Sequence, residues 1–83
     1  GTYYLNYPVG YDESGEVQYA FADYVKYEIM NRYGIMNRNT GRPITLALYS
    51  DINMLSKDLF EVQDPESYDW YLLDTNGNVV SKK

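Results

Sequence analysis

Carboxylates are the main candidates for acid–base chemistry in this chain, because its 83 residues include neither His nor Cys. That composition removes the usual base near neutral pH, the usual thiol nucleophile and the commonest zinc ligands. The candidate acids are Asp51, Asp58, Glu61, Asp64, Glu66 and Asp69. A hydrolase built on them needs two carboxyl groups on opposite sides of a substrate, one with a raised pKa. Their spacing fixes no such pair, so a small carboxylate-based hydrolase is the least favoured function.

Oxygen ligands for a metal ion are arranged most suggestively in "DTNGN", where Asp74, Asn76 and Asn78 alternate as at the start of an EF-hand loop. The glycine that such a loop requires is replaced by Val79, so a hairpin turn is the better interpretation. A looser calcium site from the loop acids stays open as an alternative. We expect no metal and no cofactor.

Tyrosine is the most unusual feature of the composition, with eleven copies beside one Trp. Tyrosine is enriched at interfaces, because it offers a stiff ring and a polar tip at little entropic cost. The alternative is that a small β-rich domain uses Tyr for strand preference and half-buried rims. The predicted binding residues are Tyr4, Tyr27, Met30 and Tyr71, with the acids Glu61, Asp64, Glu66 and Asp69.

The net charge of −5 argues against nucleic acid as the main partner, since such binders cluster Lys and Arg. The charge is uneven: residues 29–50 carry only Arg32, Arg38 and Arg42, whereas residues 58–74 carry acids and no base. The two segments could solvate their surfaces or pair with each other. The acidic segment also supports an alternative function, a small acidic inhibitor that occupies a basic or nucleic-acid-binding surface of a target protein.

The chain is short enough for one small domain over residues 1–83, with a modest core. It has no apolar run long enough to span a bilayer and no signal peptide, so we expect no membrane partner. It begins Gly-Thr without Met, which predicts a fragment of a longer precursor and slightly favours an exported protein, periplasmic or extracellular. The compartment is otherwise undetermined.

The elements that must position these residues begin with an alternating strand, in which Pro8 indicates a sheet edge. An extended chain then places Val17, Tyr19 and Phe21 on one face, so we predict a second strand. From residue 21 the apolar residues recur at a spacing of four, which predicts the main helix over residues 21–33. Gly34 would cap this helix, and Arg32 would complement its dipole. The tetrapeptide "IMNR", which occurs at 29–32 and at 35–38, is treated as a coincidence.

Two segments share the frame apolar-Asp-x-x-Gly-x-Val: "YDESGEV" at 11–17 and "LDTNGNV" at 73–79. Aspartate bonds the turn backbone and glycine supplies a positive φ, so each predicts a hairpin between antiparallel strands.

The apolar run "ITLALYS" at 44–50 predicts a central strand, and "SDINMLSKDLF" at 50–60 a short helix or an extended segment. The predicted fold is α+β, an antiparallel or mixed β-sheet with one main helix packed on a face, in the order β-β-α-β-(α)-β-β.

The final stretch, "WYLLDTNGNVVSKK", resembles the closing hairpin of small exported bacterial PepSY-like domains. That resemblance covers about one sixth of the chain and implies protein binding or peptidase inhibition. It implies no particular functional residue. The leading hypothesis is therefore a non-enzymatic module that binds another protein through a tyrosine-rich surface, and a homo-oligomer is compatible with such a surface.

Overall fold

The computed structural model describes all 83 residues and contains seven β-strands in two antiparallel sheets, with no helix. The predicted α+β class is therefore wrong, and the single sheet is two. The first sheet has the order β1-β2-β3 and the second the order β4-β5-β6-β7. The strands are β1 Thr2–Tyr11, β2 Val17–Ile29, β3 Arg32–Asn37, β4 Asp51–Ser56, β5 Leu59–Gln63, β6 Trp70–Leu73 and β7 Val79–Lys82.

The main helix predicted over residues 21–33 is replaced by most of β2, a tight turn and the start of β3. The residues spaced four apart do not form one buried stripe, because Phe21 and Ile29 are exposed while Ala22 and Val25 are buried. The sequence of β2, VQYAFADYVKYEI, is rich in Val, Ile, Tyr and Phe. These residues lose side-chain freedom in a helix and fit a pleated surface. Pairing with strands on both sides therefore outweighs the helical spacing.

The first "IMNR" is the turn between β2 and β3. Ile29 pairs with Arg32, and the two residues between them, Met30 and Asn31, have φ angles of 50° and 64°. Two consecutive positive φ angles are typical of a type I′ hairpin, which matches the twist of its strands. Asparagine tolerates this conformation, whereas methionine gives no signal of it. Gly34, predicted to cap a helix, lies inside β3.

Two further predictions are corrected in the middle of the chain. Residues 44–50, predicted as a central strand, instead belong to the connection between the sheets. This connection runs beside β3 through the isolated bridges Met36↔Pro43 and Tyr33↔Tyr49 and through N–H groups of residues 44 and 45 that donate to the Ile35 carbonyl oxygen. The helix considered over residues 50–60 is instead the β4–β5 hairpin. Short apolar runs suit a buried strand, a buried helix or a packed connection equally well, so their period does not discriminate.

The two hairpin turns predicted from the repeated frame are confirmed. In each, the aspartate carbonyl accepts a hydrogen bond from the glycine N–H, at 3.1 Å for Asp12 and Gly15 and 3.0 Å for Asp74 and Gly77. Each Oδ1 also accepts from the N–H groups two and four residues further on. The glycine φ angles are 86° and 83°. The strand with Pro8 also lies at a sheet edge, as predicted.

The core lies between the two sheets and draws on both. It consists of Leu5, Ala22, Ile35, Ile52, Met54, Phe60, Val62 and Leu73. Tyr24 of the first sheet packs edge-to-face on Phe60 of the second, with ring centroids 5.1 Å apart. The first sheet therefore has an inner face against the second sheet and an outer face that points away from it.

Candidate protein-binding surface

The four predicted contact residues do not share one surface. Tyr4 and Tyr27 lie on the outer face of the first sheet, whereas Tyr71 lies on β6 of the second sheet and packs against the core. Met30 is at the tip of the β2–β3 turn and is exposed. Tyr4 is likewise exposed, but Tyr27 and Tyr71 are half-buried.

Tyr27 has a structural role in this fold. Its ring lies over Gly34, where an added Cβ would come within 2.5 Å of the Tyr27 Cζ. Its hydroxyl donates to the Thr45 carbonyl oxygen at 2.6 Å. Because Thr45 belongs to the connection between the sheets, Tyr27 fixes that connection against β3. The phenol is already used within the chain.

The exposed tyrosines are concentrated on the β1–β2 hairpin. Five of the eleven are exposed, namely Tyr3, Tyr4, Tyr11, Tyr19 and Tyr68, and all but Tyr68 lie on this hairpin. Phe21, on β2, is exposed as well. The register pairs Tyr19 with Pro8 and Phe21 with Asn6. Tyr4 lies two residues before Asn6 on β1, so its side chain points to the same face as those of Asn6 and Pro8. Tyr4, Tyr19 and Phe21 therefore share the outer face.

A cation completes this group. The guanidinium carbon of Arg38 lies 5.9 Å from the centroid of the Tyr4 ring, within the range of a cation–π contact. The Tyr4 and Phe21 rings meet edge-to-face at 5.8 Å. Both side chains keep 69% of their surface exposed despite this contact. We call Tyr4, Tyr19, Phe21 and Arg38 the outer aromatic face.

Shallow concavities flank Tyr4. One of about 300 Å³ is lined by Tyr4, Phe21 and Arg38. A second of about 260 Å³ lies between Tyr4 and Met36, above the buried Val25. A third of about 480 Å³ runs from Tyr4, Pro8 and Tyr19 to β4. Tyr4 is the residue common to all three, so its ring forms part of the wall of each concavity.

The predicted acidic residues serve the second sheet. Glu61 is only 8% exposed on β5, where it accepts a hydrogen bond from Asn53 Nδ2 at 3.1 Å and pairs with Lys83. Asp69 pairs with Lys82 at 3.1 Å, and this hydrogen bond raises the pKa of Lys82. Two of the four predicted acids are thus neutralised within the chain.

Asp64 and Glu66 lie in the connection between β5 and β6. Backbone N–H groups of Ser67 and Glu66 donate to Asp64 Oδ1 at 3.1 and 2.8 Å, and they lower the pKa of Asp64. This carboxylate organises its own loop. Glu66 is the most accessible of the four acids. No three of the acidic side chains group in a way that could hold a metal ion.

Sequence reasoning missed Tyr19, Phe21 and Arg38 as surface residues. A signal existed for the first two, because the alternation placed Val17, Tyr19 and Phe21 on one strand face. It was lost when Phe21 was also assigned to a helical core stripe. Arg38 gave no such signal, because only the register of β3 brings it beside Tyr4.

Comparisons with protein families, with curated proteins and with solved structures find no match to this chain. These comparisons give no support to the resemblance of residues 70–83 to a PepSY-like hairpin. No helix of the structure could cross a membrane.

Proposed function

We propose that this protein is a non-enzymatic module that binds another protein through its outer aromatic face. The observation that carries this proposal is the exposed pair of Tyr4 and Phe21, with Arg38 against the Tyr4 ring. Tyrosine and arginine are over-represented among residues that dominate binding energy. A partner that covers this pair would bury two large rings that water now surrounds, and such burial is favourable.

The acidic-inhibitor alternative has less support. Glu61 and Asp69 are paired with lysines, which leaves Asp64 and Glu66 as the predicted acids without a cationic partner. A surface that attracts a basic partner needs carboxylates whose charge is free to act at a distance.

Affinity capture from the source organism, followed by calorimetry with the purified partner, tests the proposal. Tyr4→Ala is expected to weaken binding by about thirtyfold, the loss typical of a central aromatic contact. Tyr68→Ala removes an equally exposed tyrosine from the β5–β6 connection and should leave the affinity unchanged.

A salt titration separates the two functions. The aromatic interface should lose little affinity between low and physiological salt, whereas an acidic inhibitor should lose it steeply. The acidic alternative would be favoured if the affinity is unchanged by Tyr4→Ala but is lowered by salt and by Glu66→Gln. Turnover of a small molecule without any protein partner would refute both.

A further inference from the structure

The β1–β2 hairpin extends beyond the end of β3, the third strand of its sheet. β3 pairs with β2 only from Tyr24 to Ile29, and the N–H of Arg38 bonds the Asp23 carbonyl at 2.8 Å at the end of β3. Residues 17–22 of β2 therefore have β1 on one side and no strand on the other. We call residues 17–22 the open edge. Every residue from 8 to 19 is exposed, so this part of the hairpin is an arm.

The open edge carries none of the side chains that protect strand edges, although the register of β1 with β2 shifts between Tyr4 and Asn6 and between Pro8 and Gly10. Its sequence, VQYAFA, contains no charge, no proline and no glycine. Natural edge strands are short, carry Lys or Pro, or are interrupted by a bulge. The edge strand β7 of the second sheet differs in length and charge, because it is four residues long and carries Lys82. This contrast indicates that β7 is kept unpaired and the open edge is not.

We propose that the open edge pairs in antiparallel fashion with the open edge of a second copy of this chain. The two three-stranded sheets would then form one continuous sheet across a two-fold axis. A two-stranded ribbon alone is only marginally stable in water. Pairing along residues 17–22 gives the arm a third strand.

Charge complementarity selects a second copy as the occupant and sets its direction. The tip of the arm carries Asp12, Glu13 and Glu16, and the turn after β3 carries Arg38 and Arg42. Antiparallel pairing carries the acidic tip of each copy toward the basic turn of the other. Parallel pairing would bring the two acidic tips together, which like charges oppose.

Side-chain alternation supports the same geometry. Tyr19 and Phe21 are exposed on one face of the open edge. An antiparallel pair centred near Ala20 sets Tyr19 of each copy across from Phe21 of the other, and aromatic cross-strand pairs stabilise sheets. The two-fold axis is perpendicular to the sheet, so both outer aromatic faces lie on the same side. The dimer would thereby present this face twice.

Sedimentation velocity over a concentration series tests the dimer. A standard interface buries about 1,600 Å², and a six-residue edge is smaller, so we expect a monomer–dimer equilibrium in the micromolar range. Tyr19→Lys combined with Phe21→Lys sets a lysine at position 19 of each copy across from a lysine at position 21 of the other, and should weaken the dimer by about a hundredfold. Tyr68→Lys combined with Val79→Lys changes two exposed side chains elsewhere and should leave the equilibrium unchanged.

A charge exchange tests the direction of pairing. Glu13→Lys with Glu16→Lys in one chain, and Arg38→Glu with Arg42→Glu in another, should each weaken self-association by about tenfold or more. Mixing the two variants should restore a dimer, because each tip then meets a turn of opposite charge. Thermal unfolding of every variant verifies that it is folded.

The outcomes that overturn the proposal are distinct. They are a wild-type chain that stays monomeric into the millimolar range, assemblies larger than a dimer, a dimer that survives the open-edge lysines, and a mixture that does not reassociate. Tyr4→Ala should weaken partner binding and leave the dimer intact, so failure of the dimer is distinguishable from failure of the proposed function.

Discussion

The two sheets differ in how much of their apolar and aromatic surface is buried. The four-stranded sheet supplies five members of the core cluster, Ile52, Met54, Phe60, Val62 and Leu73, and the three-stranded sheet supplies Leu5, Ala22 and Ile35. Each sheet contains one of the two phenylalanines of the chain. Phe60 is 0% exposed, whereas Phe21 is 69% exposed.

The difference in burial follows from how far each part of a sheet is covered by other strands, and not from the type of residue. The first hairpin runs past the end of β3, so its outer half has nothing to pack against. The second sheet is a set of short strands, and the buried side chains of β4, β5 and β6 pack with those of the first sheet in one core cluster. Apolar and aromatic residues therefore serve the core in one sheet and the surface in the other.

Truncating each phenylalanine gives the largest contrast. Phe60→Ala should lower the free energy of unfolding by about 3–5 kcal/mol, because it leaves a cavity beside Tyr24. Phe21→Ala should change it by less than about 0.5 kcal/mol, since the ring is already hydrated. Denaturant unfolding at a concentration where the chain is monomeric measures both. Equal losses would mean that Phe21 is buried in solution.

Substituting the glycines of the two matching turns comes next. Both have a positive φ, so Gly15→Ala should cost about 1 kcal/mol. Gly77→Ala should cost about 3 kcal/mol, because its Cβ would lie 2.8 Å from the Ile44 carbonyl oxygen. Chemical denaturation of the two variants compares them directly. Identical costs would mean that the β6–β7 turn does not pack on the connection between the sheets.

Removing a single hydroxyl compares Tyr27 with Tyr4, two tyrosines of the outer face. Tyr27→Phe should lower stability by about 1 kcal/mol, because the Thr45 carbonyl loses its donor. Tyr4→Phe should be neutral, since the Tyr4 ring rather than its hydroxyl makes the contacts with Phe21 and Arg38. Thermal unfolding of both variants is the measurement, and a destabilised Tyr4→Phe variant would contradict the assignment.

Acid titration gives the smallest effect. Hydrogen bonds from the Ser14 side chain and the Glu16 N–H lower the pKa of Asp12, as those from Ser67 and Glu66 lower the pKa of Asp64. A lowered folded pKa contributes stability above the unfolded value of about 3.9, and that stability is lost as pH falls through the folded pKa. Melting temperatures between about pH 5 and about pH 2 should fall for the wild type. They should fall less for Asp12→Asn or Asp64→Asn, and an unchanged slope in both would contradict this assignment.

The local parts of the fold were predictable and the long-range parts were not. The aspartate and glycine of each repeated turn create their own hydrogen bonds, so those hairpins could be read directly. Of the two residues in the turn at Met30 and Asn31, only the asparagine is typical of a positive φ. A helical spacing of apolar residues over 21–33 favoured a helix there instead. Choosing strand over helix there required β1 and β3 as pairing partners, and neither is visible within the segment itself.

The binding surface divides in the same way. The number of tyrosines indicated that some must remain outside a small core, and five do. Their grouping was not predictable, because it depends on where β3 ends and on which residues the second sheet covers. Arg38 reaches Tyr4 only through the register of the first sheet.

The sequence by itself determined the composition of this protein's surface chemistry: no histidine or cysteine, an excess of carboxylates and many aromatic rings, together with two self-contained turns. Only the tertiary structure decided which rings are buried, which acids are neutralised by lysines, and which strand edge is left without a partner. The physical reason is that turn hydrogen bonds form between near neighbours in the chain, whereas burial and edge exposure depend on packing between distant segments.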